Sequence, residues 1–365
     1  MDYSEAVIYL SACAVNGVIP EKSRFEGLDM AEVHSYSQSH MITAIVGYAL
    51  ESAGIRNELF IQARAKALRK AVILDADCRE ISGKLEEAGI WHMPLKGAVM
   101  KDYYPAFGMR EMSDVDILFN PSSSFKVRKI MKGLGFKVKD FFNRHHDTYY
   151  REPVSNIEMH SGLLEISRNN AMNEYFYDVR DKMILDEGKK YTYHFGAEDF
   201  YIYMTAHTYR HYSDSGIGLR ALIDEYVYLR KFSDSMDWRY ISSEFGKMNI
   251  SEFEENLRTL ALSLFGSGEI KETNREMLEY IKNSKAYGYL ETSVEHAIEE
   301  GYGGSRILYV IEQIFPPFSK LKYMNPLVWR HKYLYPFFVL RRLWTAATMN
   351  RKYTLARVKH LFCRK

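Results

Sequence analysis

The sequence MPLKGAVMKDYYPAFGMREMSDVDILF, residues 93–119, joins two short apolar runs through a Lys-Gly pair and a helix-like segment. Short apolar runs closed by turn residues are typical of buried strands. Asp114 and Asp116 stand at the head of the second run, one residue apart. Because side chains alternate across a strand, we expect both carboxylates on one face, with Val115 and Ile117 facing the core.

Helical and strand-like segments alternate around this stretch. Apolar residues recur at helical spacing from residue 4 to about residue 89, and again from about residue 173 to residue 314. Between these regions lie the short runs IWHMPL, DVDILF, GFKV, DTYYREP and SNIEMH, and helical segments separate the first three. This order predicts an α+β fold, in which a small mixed sheet carries helices on a face and lies between helical lobes.

Length and charge divide the chain further. A chain of 365 residues is long enough for two or three lobes. We expect a helical lobe at 1–90, the sheet-containing core at 91–170, a helical domain at 171–315 and a basic, aromatic tail at 316–365. Residues 320–365 hold twelve Lys and Arg and no acid, whereas the other residues carry 37 basic and 47 acidic side chains, a net charge of -10.

The cysteines and the first residues indicate a cytoplasmic protein. Cys13, Cys78 and Cys363 are far apart and form no Cys-x-x-Cys pair, so neither a disulfide framework nor a zinc ribbon is expected. The beginning, MDYSEAVIYL, lacks the positive charge of a signal peptide, and no apolar run approaches the ~20 residues that span a bilayer. Contact with a membrane would therefore be peripheral, at its inner face.

The tail mixes basic and large apolar residues, as in NPLVWRHKYLYPFFVLRRLW. This pattern suits the interface of an anionic membrane. It also suits nucleic acid, or docking on the acidic remainder of the chain. Nucleic acid is the less favoured partner because the rest of the chain is acidic. The sequence does not indicate which oligomeric state the protein adopts.

The Asp pair predicts a metal site. Two carboxylates a few ångströms apart repel each other, and a divalent cation relieves the repulsion. Oxygen ligands of this kind suit Mg²⁺. Glu158 is the best candidate for a third acid, because Ile157 and Met159 flank it as inward-facing residues would; three acids would complete a site for two ions ~3.5 to 4 Å apart. A bare Asp-x-Asp also fits a solvated strand end.

Four further residues suit an anionic ligand beside these acids. Gly97 lies where a strand turns into a helix, which leaves N–H groups open to a phosphate. Lys96 offers a point charge, and Arg110 offers a planar fork for phosphate oxygens. His160 shares the face of Glu158 and would orient a carboxylate or contact substrate. Each residue alone fits a solvated charge or a structural hydrogen bond, but together they predict a nucleotide-binding site.

The stretch LKGAVMKDYYPAFGMREMSDVDIL, followed by IEMH, resembles the nucleotidyltransferases of the DNA polymerase β superfamily. It is most similar to a bacterial branch in which Lys-Gly replaces Gly-Gly or Gly-Ser. The resemblance implies a polymerase β-like sheet, with Gly97 beneath the nucleotide phosphates. It implies that Asp114, Asp116 and Glu158 are both catalytic and metal ligands. Lys96 departs from the small residue of most members, which affects how the β- and γ-phosphates are held.

The resemblance also implies a reaction. Two Mg²⁺ ions would support transfer of a nucleoside monophosphate from an NTP to an acceptor hydroxyl or phosphate, with release of pyrophosphate. ATP is the expected NTP, although the residues do not choose among the four nucleotides, and the acceptor is not identified. The alternative is a catalytically silent nucleotide-binding or regulatory module that docks at a membrane, or at a membrane-bound partner, through its basic tail.

The segment HTYRH places His207 and His211 one helical turn apart. This spacing can bind zinc, but the Glu of the metalloprotease motif is absent. A polar helix face with internal pairs is slightly favoured. The alternative is that His207, Arg220 or Asp224 lines the cleft, because HTYRHYSDSGIGLRALID resembles a helical segment of the same family.

Overall fold

The computed structural model describes residues 1–141, 145–164, 169–267, 270–284 and 302–348, together with residues 286, 294, 298 and 361. Its helices are α1 (Tyr3–Asn16), α2 (Met30–Ser39), α3 (Thr43–Ser52), α4 (Glu58–Glu87), α5 (Gly97–Met100), α6 (Ser124–Gly133), α7 (Asn170–Tyr175), α8 (Ala197–Asp214), α9 (Leu219–Phe232), α10 (Trp238–Met248), α11 (Ser251–Leu262), α12 (Arg275–Asn283), α13 (Arg306–Ile314), α14 (Phe318–Met324), α15 (Pro326–Arg330) and α16 (Tyr335–Ala347). The helical periodicity predicted on both sides of the sheet is confirmed.

Five strands form the main sheet, and two more form a separate hairpin. The strands are β1 (His92–Leu95), β2 (Val115–Phe119), β3 (Lys137–Asp140), β4 (His146–Arg151), β5 (Ser155–His160), β6 (Met183–Leu185) and β7 (Tyr193–Phe195). The main sheet has the order β1-β2-β5-β4-β3, with β2 and β5 parallel and the other neighbours antiparallel. The small mixed sheet of an α+β fold is thus confirmed.

Alternation along the strands gives the sheet one apolar face. Val115, Ile117, Ile157 and Met159 are at most 1% exposed, and they pack against apolar side chains of α4 and α6. The inward orientation predicted for the residues flanking Glu158 is therefore confirmed.

The opposite face of the sheet carries polar side chains in two cross-strand rows. The first row, in strand order, is Leu95, Asp116, Glu158 and Thr148. The second row is Met93, Leu118, His160 and His146. The apolar members at the β1 side join the core of the helical part, so the carboxylates lie where the sheet meets that part.

The helices before and after the sheet share one core. Buried side chains of α1 and α3 belong to the same cluster as those of α8, α9 and α11. Asn16 of α1 makes this link polar as well, because it donates to the Phe265 carbonyl at 2.8 Å and accepts from the Tyr226 hydroxyl at 2.7 Å. The boundaries near residues 90, 170 and 315 stay predictions.

Three details differ from the sequence-based expectation. Strand β2 begins at Val115, so Asp114 precedes the strand. Helix α5 is a single turn that continues only as a 3-10 turn, because Pro105 follows shortly. The β6–β7 hairpin interrupts a region predicted to be helical; its signal is the alternating MILDEGKKYTYHF around Gly188, whose φ of 71° suits the turn.

Part of the basic tail, residues 349–360 and 362–365 with Cys363, lies outside the described residues. Cys13 and Cys78 carry free thiols. Within the described ranges, every helix is too short or too polar to cross a membrane.

Candidate active site

The parallel pairing of β2 with β5 places Asp116 directly beside Glu158. His160 follows Glu158 on the same face, and its Nε2 lies 2.7 Å from Asp116 Oδ1 and 3.6 Å from Glu158 Oε2. One potential ligand atom from each of these three residues lies within 4.8 Å of the others. The structure therefore brings together two of the three predicted carboxylates and the predicted histidine.

Asp114 adds a third carboxylate to the cleft wall. It is half-buried, and it lines the same cleft as Asp116 and Glu158. Burial, followed by the charges of Asp116 and Glu158, raises the pKa of Asp114 to about 6. Burial is the larger cause, and the like-charge repulsion expected from the Asp pair adds to it.

Lys96 compensates part of this negative charge. Its Nζ donates a hydrogen bond to Asp116 Oδ1 at 3.0 Å. Burial alone favours protonated Asp116, but Lys96 and His160 outweigh it and hold the pKa of that carboxyl well below its usual range. Lys96 has φ 46° and ψ -116°, a conformation that favours glycine. The Lys-Gly variant therefore puts an ammonium group among the acids.

Two histidines extend the cluster behind Glu158. His146 Nε2 lies 3.6 Å from Glu158 Oε2, and His146 Nδ1 lies 3.1 Å from His145 Nε2. Burial, with the nearby positive charges, holds the pKa of His145 well below its usual value. Burial alone would lower the pKa of His160, but hydrogen bonds to Asp116 and Glu158 raise it. Sequence reasoning missed His145 and His146; the signal was HHDTYY at the head of a strand beside SNIEMH.

Gly97 is a point of close approach between main chain and side chain. A Cβ at this position would lie 2.7 Å from Arg110 Nη1. We expected Arg110 to offer its fork to phosphate, but Nε and Nη2 bind Asp224 at 2.7 and 2.8 Å. Tyr104 also donates to Asp224, at 2.7 Å. A phosphate at Gly97 would thus meet Nη1 of an arginine that a buried carboxylate already orients.

Lys96, Gly97, Arg110 and the three carboxylates line a cleft of about 280 Å³ between the sheet and helices α8 and α9. His207, Arg220 and Asp224 lie in the helical wall, which the sequence offered as the less favoured reading. Asp224 also forms an internal pair with Arg110, as the favoured reading predicts. His211 joins them, with its Nε2 3.2 Å from His207 Nε2. Burial first, and then nearby positive charges, holds the pKa of His207 well below its usual value.

The cluster of Asp116, Glu158 and His160 fits a divalent cation. Carboxylate oxygen and imidazole nitrogen are common ligands of such ions. His160 is 1% exposed, and its Nδ1 has no hydrogen-bond partner among the described residues.

Comparison with known families agrees with this fold. The chain belongs to a family described as an uncharacterised nucleotidyltransferase, whose sequence model matches residues 26–266. The match includes the whole main sheet and both walls of the cleft. No curated protein and no solved structure matches the chain. The resemblance noted in the Lys-Gly, Asp-x-Asp and IEMH segments is thus confirmed at the level of the family.

Proposed function

We propose that the protein transfers a nucleoside monophosphate from an NTP to an acceptor hydroxyl or phosphate and releases pyrophosphate. The observation that carries this proposal is the pairing of Asp116 with Glu158 on adjacent parallel strands, in a cleft that Lys96 and Gly97 also line. Membership of a nucleotidyltransferase family supports the class of reaction.

The acids would hold the divalent ions. Asp116 and Glu158 are the central ligands in this proposal, and Asp114 is the third. When bound, two Mg²⁺ or similar ions would stabilise charge on the phosphates and lower the pKa of the acceptor hydroxyl.

The other side of the site would bind the triphosphate. Gly97 has no side chain, so its main chain lies directly against Arg110 Nη1, and a phosphate bound at this turn would meet both groups. Lys96 has a flexible stem, and its ammonium group would turn from Asp116 to the phosphate oxygens as a point charge. Arg110 Nη1 lies at Gly97 and would add a second positive contact.

Transfer also requires that the acceptor lose a proton. We assign this proton to Glu158, because its side chain is 22% exposed and faces the cleft. Asp116 suits this role less well, since its side chain is 6% exposed and it already binds Lys96 and His160.

The direct test is incubation of the full chain with each NTP and Mg²⁺ or Mn²⁺. We expect pyrophosphate release from at least one NTP, with ATP tested first, and label transfer to an added hydroxyl or phosphate acceptor or to the protein itself. Asp116→Asn should abolish both signals while the protein stays folded. NTP binding without turnover under all conditions would favour the catalytically silent alternative.

We also propose that the C-terminal helices contact an anionic membrane. On α16, Phe337, Leu340 and Trp344 are 68%, 63% and 60% exposed, at a spacing that places them on one side of the helix. On α13, Ile307 and Ile311 are 67% and 49% exposed at the same kind of spacing. Exposed apolar stripes in a basic segment are typical of helices that lie in a membrane interface.

The other face of α16 docks on the protein itself. Phe338 and Val339 are buried. Arg341 donates a hydrogen bond to the Phe141 carbonyl, and Arg342 donates to the Gln313 carbonyl at 2.7 Å. Intramolecular docking and membrane contact are therefore compatible, because they use different faces.

A further inference from the structure

We propose that the metal centre of this cleft includes imidazole nitrogen and therefore prefers a first-row transition-metal ion to Mg²⁺. The sequence led us to expect oxygen ligands and Mg²⁺, whereas the structure adds His160 and His146 to the acids. This inference concerns the same side chains as the proposed function, but it is tested by metal binding in the absence of nucleotide.

The spacing of the three central groups suits coordination. His160 Nε2 lies 2.7 Å from Asp116 Oδ1 and 3.6 Å from Glu158 Oε2. With metal–ligand bonds of about 2.1 Å, neighbouring ligands lie about 3.0 Å apart in an octahedron and about 3.4 Å apart in a tetrahedron. The two separations from His160 bracket these values, and the ligand atoms of all three groups lie within 4.8 Å of one another.

The burial of His160 fixes which ring nitrogen faces the acids. This imidazole is 1% exposed, and its Nε2 lies against both carboxylates. Its Nδ1 has no hydrogen-bond partner within the part of the chain that the structure describes. Nε2 is therefore the atom that would bind an ion, with the ring hydrogen on Nδ1.

His146 is the fourth group of the centre. It lies directly opposite His160 in the β4–β5 pairing, and its Nε2 faces Glu158 Oε2 at 3.6 Å. His145 Nε2 lies 3.1 Å from His146 Nδ1. When His146 Nδ1 carries the hydrogen and donates it to His145 Nε2, the Nε2 of His146 keeps the lone pair that a metal ligand requires. His145 would then act as a positioning residue that orients the His146 ring.

The preference follows from the ligand set. Mg²⁺ binds oxygen and retains water, whereas imidazole suits first-row transition metals. The ammonium group of Lys96, 3.0 Å from Asp116 Oδ1, shows that a positive charge is accommodated at this cluster. Two acids and two imidazoles thus form a mixed nitrogen and oxygen centre.

Pulsed electron paramagnetic resonance of Mn²⁺ bound to the full chain tests the proposal, together with calorimetric titration of Mn²⁺ and Mg²⁺. We expect nitrogen hyperfine coupling in the Mn²⁺ spectrum and binding at least about tenfold tighter for Mn²⁺ than for Mg²⁺. His160→Gln should remove or weaken the coupling and bring the two affinities close together. His194→Gln is the matched control, because His194 lies on the separate hairpin and pairs with Asp186.

Absence of nitrogen coupling in the wild-type spectrum, or equal affinity for Mn²⁺ and Mg²⁺, would overturn the proposal. The wild-type spectrum decides this even where His160→Gln does not fold, and His146→Gln provides a second variant at a partly exposed position. Nitrogen coupling without transfer of any nucleotide would refute the proposed function alone. Transfer without nitrogen coupling would refute only this inference.

Discussion

Lys96 combines an unfavourable backbone conformation with a favourable charge. Its φ of 46° and ψ of -116° lie in a region that costs a non-glycine residue about 1 to 3 kcal/mol. Its ammonium group lies 3.0 Å from the buried Asp116 carboxylate. We infer that the charge, rather than the backbone, accounts for a lysine at this position.

Two substitutions separate these effects. Lys96→Gly removes the charge and the strain, whereas Lys96→Met removes the charge and keeps the strain. We expect both to weaken NTP binding at least about tenfold through loss of the phosphate contact, and Lys96→Gly to be about 1 kcal/mol more stable than Lys96→Met. Urea unfolding and nucleotide titration measure these effects; equal stability of the two variants would show that the backbone is unstrained.

Asp114 and Asp116 have opposite effects on stability. The pKa of Asp114 is raised from 3.8 to about 6, so the folded state loses stability as the pH rises through that interval. The pKa of Asp116 is lowered, so its contribution is present above the ordinary value of 3.8 and is lost as the pH falls through the folded pKa. The first aspartate therefore destabilises the metal-free protein at neutral pH, and the second stabilises it.

We therefore expect Asp114→Asn to be about 1 to 3 kcal/mol more stable than the wild type near pH 8 in metal-free buffer. Asp116→Asn should be less stable than the wild type, because Lys96 and His160 lose a charged partner. Both variants should lose transfer activity. Denaturant unfolding with a chelator present measures the difference, and a destabilised Asp114→Asn would show that burial and the neighbouring acids do not make the ionised Asp114 unfavourable.

At the scale of elements, a buried polar cluster joins α8, α9 and α11. The Tyr201 hydroxyl lies 2.7 Å from a carboxyl oxygen of Glu225 and 2.8 Å from one of Glu254, and its single hydrogen serves one of these two hydrogen bonds. Glu225 is 1% exposed, and burial raises its pKa to about 8 from an ordinary value of 4.5. The packing of these helices therefore depends on a carboxyl group that stays protonated near neutral pH.

The sign of this shift predicts a pH dependence. Because the folded state holds the proton of Glu225 more tightly, stability should fall as the pH rises from 4.5 to about 8. Glu225→Gln should reduce this fall by about 2 to 4 kcal/mol. Unfolding free energies across this interval provide the measurement. If the unfolding free energies of the variant and the wild type changed with pH in parallel, Glu225 would be ionised in the folded state.

The elements of the sheet were predictable because their signals are local. Apolar runs closed by Gly97 and by Asn120-Pro121 indicated β1 and β2, and the strands observed there agree within a few residues. The β6–β7 hairpin was missed because its strands are only three residues long and partly exposed. Short strands of this kind give little periodicity to detect.

At the scale of the whole molecule, the site depends on pairings that no local pattern reports. Asp116 and Glu158 were predicted as metal ligands from residue type and flanking residues, but their adjacency comes from the register of β2 with β5. His146 joins through the register of β4 with β5. Arg110 finds Asp224 only because α9 packs over the cleft. Local sequence supplied the candidates, and tertiary packing decided their partners.

The predicted contact with an anionic membrane involves the C-terminal helices. A Phe337→Glu, Trp344→Glu double variant should reduce binding to anionic vesicles about tenfold or more, because it places charge on the exposed stripe of α16. Ile19→Glu is the matched control, since Ile19 is 70% exposed and lies outside these helices. Vesicle flotation at low and high salt measures the effect. Equal flotation of the double variant and the wild type would contradict membrane contact through this face.

The most direct test of the central claim is a crystal structure of the protein with a non-hydrolysable NTP and Mn²⁺. We predict anomalous density for the ion between the carboxylates of Asp116 and Glu158, with the triphosphate along Gly97 and within reach of Lys96. A nucleotide bound elsewhere, or an ion that contacts neither Asp116 nor Glu158, would contradict the account.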